Sequence, residues 1–417
     1  MQNDNYNDYS PTRVCVVGGG AAGMMAAGTA LLYGADVTVY ESQNMLGKKL
    51  GITGKGRCNV TNDTDIQGFL ENVPKNARFL YGALNALSPR ETMSFFEGLG
   101  VELKTERGNR VFPITDKAKT IVDALKSYSS GAQIIYEKVK KIEKNDTSST
   151  FSVYTGKSCL EYDKVIIATG GKSYPLTGSD GSGYKLAMSL GHSVTDITPS
   201  LIPIVSPSPL CQRMQGLSLK NVSISILDKS GKRIYSDFGE MMFTHFGVTG
   251  PMILSASAHV RDCNVDELSL SIDLKPALDE QTLDARLLSD FSKNTNKDLV
   301  NSLGALLPSK MILPFIEYTE IDPRIKVNSI TKEMRRKILT SLKSFTIPLS
   351  HFRPIEEAIV TSGGIDVKEI SSKTMESKLV PGLYFAGEVI DVDAYTGGFN
   401  LQIAFSTGYL AGKCAAE

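Results

Sequence analysis

Apolar runs alternate with helical spacings at both ends of the chain. Four short runs of β-branched and other apolar residues are typical of strands buried on both faces of a parallel sheet. These runs are residues 12–17, 36–40, 164–168 and 383–386. Residues 134–142 and 151–154 alternate in polarity, which predicts a β ribbon. Strands followed by helices in this way predict an α/β fold whose parallel sheet uses both ends of the chain.

The pattern changes between about residue 196 and residue 352. Prolines cluster from 199 to 209, short alternating strands follow, and a glycine-rich stretch at 240–251 interrupts them. From about 276 to 343 the apolar spacing predicts helices. We therefore predict an inserted β-barrel-like domain and a small helical cap. The predicted domains are residues 1–195 with 353–417, residues 196–275 with 345–352, and residues 276–344.

A glycine-rich turn, G-x-G-x-x-G, follows the first predicted strand. Gly18 permits a tight turn, Gly20 lets the main chain approach a pyrophosphate, and Gly23 allows the helix to pack on the strand. Glu41 ends the second strand at the spacing expected for a carboxylate that accepts ribose hydroxyls, which favours FAD or NAD over NADP. This Rossmann-like unit is predicted to bind through Gly18, Gly20, Ala21, Ala22, Gly23, Glu41 and Ser42.

The next loop, GKKLGITGKGRCNVTN at 47–62, is rich in glycine and cations. Glycines let the main chain pass close to a planar ligand, and cations can balance phosphate or flavin charge. The alternative is a solvated basic loop. Cys58 could be a redox-active thiol, but no cysteine is near it in sequence, so a small side chain under the ring is favoured. The predicted contacts are Lys49, Thr53, Gly54, Gly56, Arg57, Cys58 and Asn59.

Two later segments predict the rest of the site. A strand that runs into Thr169-Gly170-Gly171 predicts contacts at the adenosine end, whereas the glycine cluster at 178–183 is either an anion site or a capped surface turn. Near the end of the chain, a helix beginning at about Gly398 would direct its positive end at the flavin, where negative charge develops on reduction. Pairing this helix with the first glycine turn favours FAD over NAD. The predicted contacts are Val139, Ala168, Thr169, Gly170, Gly387, Glu388, Asp393, Gly398, Phe399, Asn400, Leu401 and Gln402.

These segments, with RVFPITDKA at 110–118, resemble the BaiN-like, aminoacetone-oxidase-like family of bacterial flavoproteins, which have a glutathione-reductase-like FAD domain. The resemblance implies a reductase that takes hydride from NADH or NADPH and reduces an activated C=C bond of a small molecule, such as a steroid or bile-acid enone. Arg57 and Tyr395 are the predicted electrophilic and proton-donating residues, and His245 or His351 are weaker alternatives. An FAD-dependent oxidase of small amines and a non-catalytic FAD-binding protein remain open.

Composition restricts the partners and the compartment. Among 417 residues, 45 Lys and Arg balance 45 Asp and Glu, which gives no electrostatic reason to expect nucleic acid or an anionic membrane and disfavours an RNA-modifying enzyme. The six cysteines form no C-x-x-C pair, and no metal site is predicted. Residues 1–11 are polar and are interpreted as a loose tail, not a signal peptide. We therefore expect a cytoplasmic protein; the pattern does not predict its oligomeric state.

Overall fold

The computed structural model describes residues 10–145 and 147–417. Most of the predicted amino-terminal tail, and Asp146 in the predicted ribbon turn, lie outside the described residues. The chain forms two compact units: the first contains the described residues up to Pro199 together with Ala358–Glu417, and the second is Ser200–Glu357. The division into three domains remains a prediction.

The first unit is built around a parallel sheet. Its strands before residue 201 are β1 Arg13–Val17, β2 Asp36–Tyr40, β3 Thr61–Asn62, β4 Leu103–Glu106, β5 Arg110–Pro113, β6 Gln133–Ile135, β7 Lys141–Lys144, β8 Phe151–Tyr154, β9 Cys159–Tyr162, β10 Lys164–Ile167 and β11 Thr198–Ser200. Its helices in this part are α1 Ala21–Leu32, α2 Ile66–Leu70, α3 Tyr81–Ala86, α4 Pro89–Gly98, α5 Ala118–Tyr128 and α6 Ser182–Ser189.

The second unit combines an antiparallel sheet with helices. Its strands are β12 Ile204–Val205, β13 Ser218–Leu227, β14 Arg233–Phe243, β15 Gly247–Thr249, β16 Ser269–Asp273 and β17 Phe345–Pro348. Its helices are α7 Pro209–Arg213, α8 Pro251–His259, α9 Glu280–Ser292, α10 Ser309–Tyr318 and α11 Lys332–Lys343. The chain then completes the first unit with β18 Val360–Ser362, β19 Leu383–Phe385 and α12 Phe399–Ala416.

The central sheet joins the two ends of the chain. Its strand order is β19-β10-β1-β2-β6, and every neighbouring pair is parallel. The strands β1, β2, β10 and β19 are mostly buried because they are apolar on both faces, as expected for a sheet covered on both sides, whereas the edge strand β6 is only partly buried. α1 and α12 pack very closely: a Cβ added at Gly408 would lie 2.4 Å from the carbonyl oxygen of Ala22, and one at Gly412 would lie 2.3 Å from that of Ala26.

The sheet of the second unit almost closes on itself. Its order is β12-β15-β14-β13-β16-β17. The amide of Val205 in β12 donates to the carbonyl of His351, just after β17, and Ser350 donates back to Val205. These bonds join the two outer strands, in agreement with the predicted β-barrel-like form. One hydrophobic core contains residues from both this sheet and α9–α11, so a separate helical cap remains a prediction.

Two local predictions differ from the structure. Residues 133–135 form β6 at the edge of the parallel sheet and do not belong to the ribbon, whose strands are β7, β8 and β9. The carboxyl part of the glycine-rich stretch begins a helix, α8, with Pro251 at its first position. No helix in the described part of the chain is long and apolar enough to cross a membrane.

Candidate functional site

The glycine turn between β1 and α1 depends on the lack of side chains at two positions. Gly18 has a φ of +107°, and a Cβ there would lie 2.6 Å from the carbonyl oxygen of Ala168. A Cβ at Gly23 would lie 1.8 Å from the carbonyl oxygen of Gly18. Gly20 is different, because no atom lies within 4 Å of its added Cβ. The turn is therefore tightly packed from beneath and open at Gly20, at the amino end of α1.

Glu41 is attached to this turn. Its side chain is buried, and Oε2 accepts a hydrogen bond of 2.9 Å from the amide of Gly19. Oε1 accepts from the amide of Gln43 at 2.7 Å and from the hydroxyl of Ser42 at 3.3 Å. These bonds fix the carboxylate beside the glycine turn, where the sequence predicted a ribose contact, and they keep it close to Ser42.

The loop at 47–62 begins at the glycine turn, where the amide of Gly47 donates to the carbonyl of Gly19 at 2.9 Å. Residues Leu50–Gly56 form 3-10 turns, in which the hydroxyl of Thr53 donates to the carbonyl of Leu50 at 2.7 Å. Gly54 and Gly56 have φ angles of +56° and +84°, which glycine adopts without steric cost. Asn59 Oδ1 is buried and has no hydrogen-bond partner. A buried acceptor without a donor is costly, so a ligand donor at this position fits the loop.

Cys58 is buried, and burial raises the pKa of its thiol to about 12. Because the thiolate is the nucleophile, a thiol with this pKa is unreactive near neutral pH. The structure therefore favours the small-side-chain interpretation of Cys58 over a redox-active one. The described residues contain no cluster of three or more His, Cys, Asp or Glu that could hold a metal.

Arg57 is held by carboxylates. It pairs with Glu106 and with Asp116, at 2.5 Å in each case, and its guanidinium lies 4.2 Å from the centre of the Phe112 ring. Arg57 donates hydrogen bonds to Glu106 and Asp116, and these bonds raise the pKa of its guanidinium above the ordinary value. Because two carboxylates compensate its charge, an electrophilic role for Arg57 remains a prediction that the contacts do not strengthen.

Three buried hydroxyls surround the segment that links β10 to α6. Thr169 Oγ1, Ser179 Oγ and the Tyr184 hydroxyl are buried and have no hydrogen-bond partner. Burial raises the pKa of Tyr184, so this phenol stays neutral and can donate. Ser179 Oγ would lie 2.8 Å from a Cβ at Gly170. Sequence reasoning missed Ser179 and Tyr184 as individual site residues, although Ser179 lies within the 178–183 glycine cluster and Tyr184 directly follows it, so the cluster was the available signal.

The carboxyl-terminal segment meets the 47–62 loop through Glu388. Glu388 Oε2 accepts from Lys49 Nζ at 2.7 Å. Its Oε1 accepts from the Ser173 hydroxyl at 3.1 Å and the Thr361 amide at 2.9 Å. Before it, Gly387 donates its amide to the hydroxyl of Thr407. Lys49 and Glu388, far apart in sequence, are thus brought together.

The amino end of α12 lies against the same loop. Gly398 has a φ of +100°, and a Cβ there would lie 2.3 Å from the carbonyl oxygen of Thr61 and 2.9 Å from Asn59 Oδ1. Asn400 exchanges two hydrogen bonds with the main chain of Ala394, which fixes the approach to the helix. Phe399 packs edge-on against Phe69.

The remaining predicted residues have structural contacts. Gln402 is completely buried and bonds to Thr61, Thr92, Ser406 and the carbonyl of Leu87. The others are distributed as follows: Leu401 packs on the core of the first unit, Val139 and Ala168 are buried in that core, Asp393 accepts from the Ser362 hydroxyl, and the amide of Tyr395 donates to the carbonyl of Asn72. Of the two histidines, His245 packs edge-on against Phe246, and His351 Nδ1 lies 2.9 Å from the Ser350 hydroxyl.

The site is a glycine-lined frame with unfilled polar positions. The open space at Gly20 and the unpartnered buried oxygens of Asn59, Thr169, Ser179 and Tyr184 are features that a bound dinucleotide would complete. These residues therefore fit FAD as predicted from the sequence.

Two sequence relatives and one solved structure are similar to this chain over nearly its whole length. The chain is 29% identical over 412 residues to a 3-dehydro-bile acid delta(4,6)-reductase of Clostridium scindens, with 97% of this chain and 99% of the relative covered. It is 30% identical over 406 residues to a ribosomal RNA dihydrouridine synthase of Haemophilus influenzae, covering 94% and 96%. The fold is similar to that of a 3-ketosteroid-delta4-(5alpha)-dehydrogenase from Rhodococcus jostii, with a TM-score of 0.52, 14% identity and coverage of 100% and 99%.

The family profile settles the membership. It matches residues 12–414, which include both segments of the first unit and the whole of the second. The match confirms the resemblance inferred from the glycine-rich motifs. The chain belongs to the HI0933-like protein Rossmann domain family.

Proposed function

We propose that the protein is an FAD-dependent reductase that acts on a C=C bond conjugated to a carbonyl group, with NADH or NADPH as the electron donor. Bound FAD would supply hydride transfer through its N5 atom, chemistry that amino-acid side chains lack. The chain supplies the binding frame, the charge that favours the reduced cofactor, and the substrate contacts.

One observation carries the proposal: the amino end of α12 lies beside the 47–62 loop, at Thr61 and Asn59. The first amides of a helix have no acceptor within the helix and form the positive end of its dipole. Here those amides belong to Phe399, Asn400 and Leu401. They can stabilise negative charge on a flavin ring placed against the loop, which favours reduction.

The names of two relatives support the substrate class. One is a reductase of 3-dehydro-bile acids and another makes dihydrouridine in ribosomal RNA. Dihydrouridine differs from uridine by saturation of a ring C=C bond that is conjugated to a carbonyl, so both names describe related chemistry. A steroid or bile-acid enone is our leading substrate for this chain. Uracil in ribosomal RNA is the second candidate, and the relative from Haemophilus influenzae favours it.

Protonation of the substrate completes such a reduction, and Tyr395 is the proposed donor. Its main-chain amide donates a hydrogen bond to the carbonyl of Asn72, and Asn400 accepts a hydrogen bond from the amide of the preceding residue, Ala394. The loop that carries Tyr395 is therefore fixed immediately before α12. A phenol in this position would have a defined approach to a substrate stacked on the flavin.

The test begins with the absorbance spectrum of the purified protein, followed by anaerobic stopped-flow mixing with NADH and with NADPH. The proposal expects one of them to bleach the flavin and a conjugated enone or uridine to restore its colour. In Tyr395→Phe, reduction should keep its rate and reoxidation by the acceptor should slow. Failure of both nucleotides to reduce the flavin would reject the proposal. Oxygen consumption with aminoacetone, without turnover of any enone or uridine, would favour the amine oxidase.

A further inference from the structure

The zero net charge of the chain conceals a local excess of cations in the first unit. Residues 50–57 and 102–117 contain six Lys or Arg side chains against three carboxylates. Four of these cations form what we call the cationic rim, on the 3-10 loop, the β4–β5 hairpin and the start of α5. The rim consists of Lys55, Arg107, Arg110 and Lys117.

Two of the three carboxylates, Glu106 and Asp116, pair with the other two cations. Asp116 pairs with both Arg57 and Lys104, at 2.5 and 2.6 Å, and Glu106 pairs with Arg57. Within the described part of the chain, Lys55, Arg110 and Lys117 have no carboxylate at ion-pair distance. Lys55 and Lys117 are exposed and Arg110 is half-buried. Their charges are therefore available to an anion.

The rim adjoins the proposed flavin site through Asn62. Its side-chain amide donates to the carbonyl of Gly108, at the tip of the β4–β5 hairpin, and to that of Gly397, just before α12, at 3.0 Å in both cases. Arg110 lies 6.0 Å from the centre of the Phe112 ring, on which Arg57 also stacks. The hairpin tip is thus attached to the loop that would close over the flavin.

We propose that the cationic rim binds the phosphates of a polynucleotide that presents a base to the flavin. This inference rests on the proposed reductase function and selects its second candidate, a uracil base within RNA. A steroid acid offers a single anionic group, whereas the rim presents separate cations on three segments of the chain. Separate cations can contact several phosphates of a single strand, an interaction that does not depend on the base sequence.

The probe is fluorescein-labelled oligouridylate of about 4 and about 16 nucleotides, the range that a single-strand site typically covers. Anisotropy is measured with the full chain over a series of NaCl concentrations. The rim variant is the triple substitution Lys55→Gln, Arg110→Gln and Lys117→Gln. The matched control removes three exposed lysines elsewhere, Lys185→Gln, Lys220→Gln and Lys293→Gln. Flavin absorbance and the melting temperature verify that both variants fold.

Each phosphate contact on a single strand contributes about −0.7 to the slope of log K against log salt. The rim variant should lose about 2 units of slope and at least tenfold in affinity for the longer probe, while the control keeps the wild-type values. The proposal is overturned by equal losses in both variants, by no loss in the rim variant, or by an affinity that does not depend on probe length. These outcomes are independent of flavin reduction by NADH or NADPH, so failure of the reductase proposal is seen separately.

Discussion

Gly20 and Gly23 provide the sharpest test of how the first glycine turn works, because the same substitution should affect different properties at the two positions. Gly23→Ala should lower the stability of the protein without ligand. Gly20→Ala should leave that stability unchanged and weaken FAD binding. The difference follows from what an added methyl group meets: main chain at Gly23 and open space at Gly20.

The expected change in the free energy of unfolding differs between the two variants. At Gly23 the methyl group would lie 1.8 Å from the carbonyl oxygen of Gly18, so the turn must move. Overpacking of this kind costs about 1–3 kcal/mol, more than the roughly 0.5–1 kcal/mol that alanine gains over glycine inside a helix. Gly20 has ordinary backbone angles, φ −81° and ψ −165°. At Gly20, alanine stabilises the protein by lowering the conformational entropy of the unfolded chain, and it destabilises the protein because it is a poorer helix N-cap than glycine. The two contributions to the free energy of unfolding are each below about 1 kcal/mol and have opposite signs.

For FAD affinity we expect the larger effect in Gly20→Ala. A methyl group at Gly20 would displace a pyrophosphate from the amides of α1, and hydrogen bonds to a charged group contribute about 1.5–3 kcal/mol. The Kd for FAD should therefore rise about ten- to a hundredfold. Flavin fluorescence quenching measures this Kd, and thermal melting without added FAD measures stability. Gly304→Ala, at an open position in the second unit, is the control. Wild-type FAD affinity in Gly20→Ala, or equal melting losses in both variants, would refute the reasoning.

Three further outcomes are expected. Gln402→Leu should destabilise the first unit by about 1–3 kcal/mol, because buried partners such as the carbonyl of Leu87 lose their donor. Urea titrations measure this change in the free energy of unfolding, and a loss no larger than that of Leu401→Ala would contradict the reasoning. Burial lowers the pKa of His192, so protonation favours unfolding, and the free energy of unfolding should fall as the pH drops below about 6.5. His192→Gln should flatten this part of the profile of stability against pH. An unchanged profile would exclude His192 as its source. In the native protein at pH 7.5, iodoacetamide should modify the exposed Cys159 and spare Cys58, as mass spectrometry of peptides would show; fast modification of Cys58 would indicate a lowered thiol pKa.

The parallel sheet could be predicted because its strands are apolar on both faces. The runs at 12–17, 36–40, 164–168 and 383–386 coincide with β1, β2, β10 and β19 to within a residue or two. The edge strand β6 has only three residues and carries no periodicity of its own, so its place beside β2 depends on tertiary packing. The start of α8 could not be predicted, because Gly247, Gly250 and Pro251 are typical of an irregular segment.

The candidate site was predictable where glycine geometry determines it. Gly18, Gly23 and Gly398 all meet main chain at distances that no Cβ tolerates, and such positions are recognisable as motifs. The partners of Lys49 and Arg57 could not be predicted, because Glu388, Glu106 and Asp116 reach them only through the fold. Net charge does not test the proposed rim, because it sums over the chain and carries no information on where cations gather; the absence of a nucleic-acid partner stays a prediction.

The close packing of α1 on α12 has a consequence for how the protein is made. At about 5–20 residues per second, roughly 20–70 s of translation separate the completion of α1 from the start of α12. During that interval the small-residue face of α1, including Ala22 and Ala26, lacks the glycines that cover it in the finished fold. The nascent chain must keep this surface from aggregating while the whole Ser200–Glu357 unit is synthesised. Capture of the proposed cofactor is therefore expected only after α12 has been synthesised and has packed on α1, and chains that lack α12 would not sequester it.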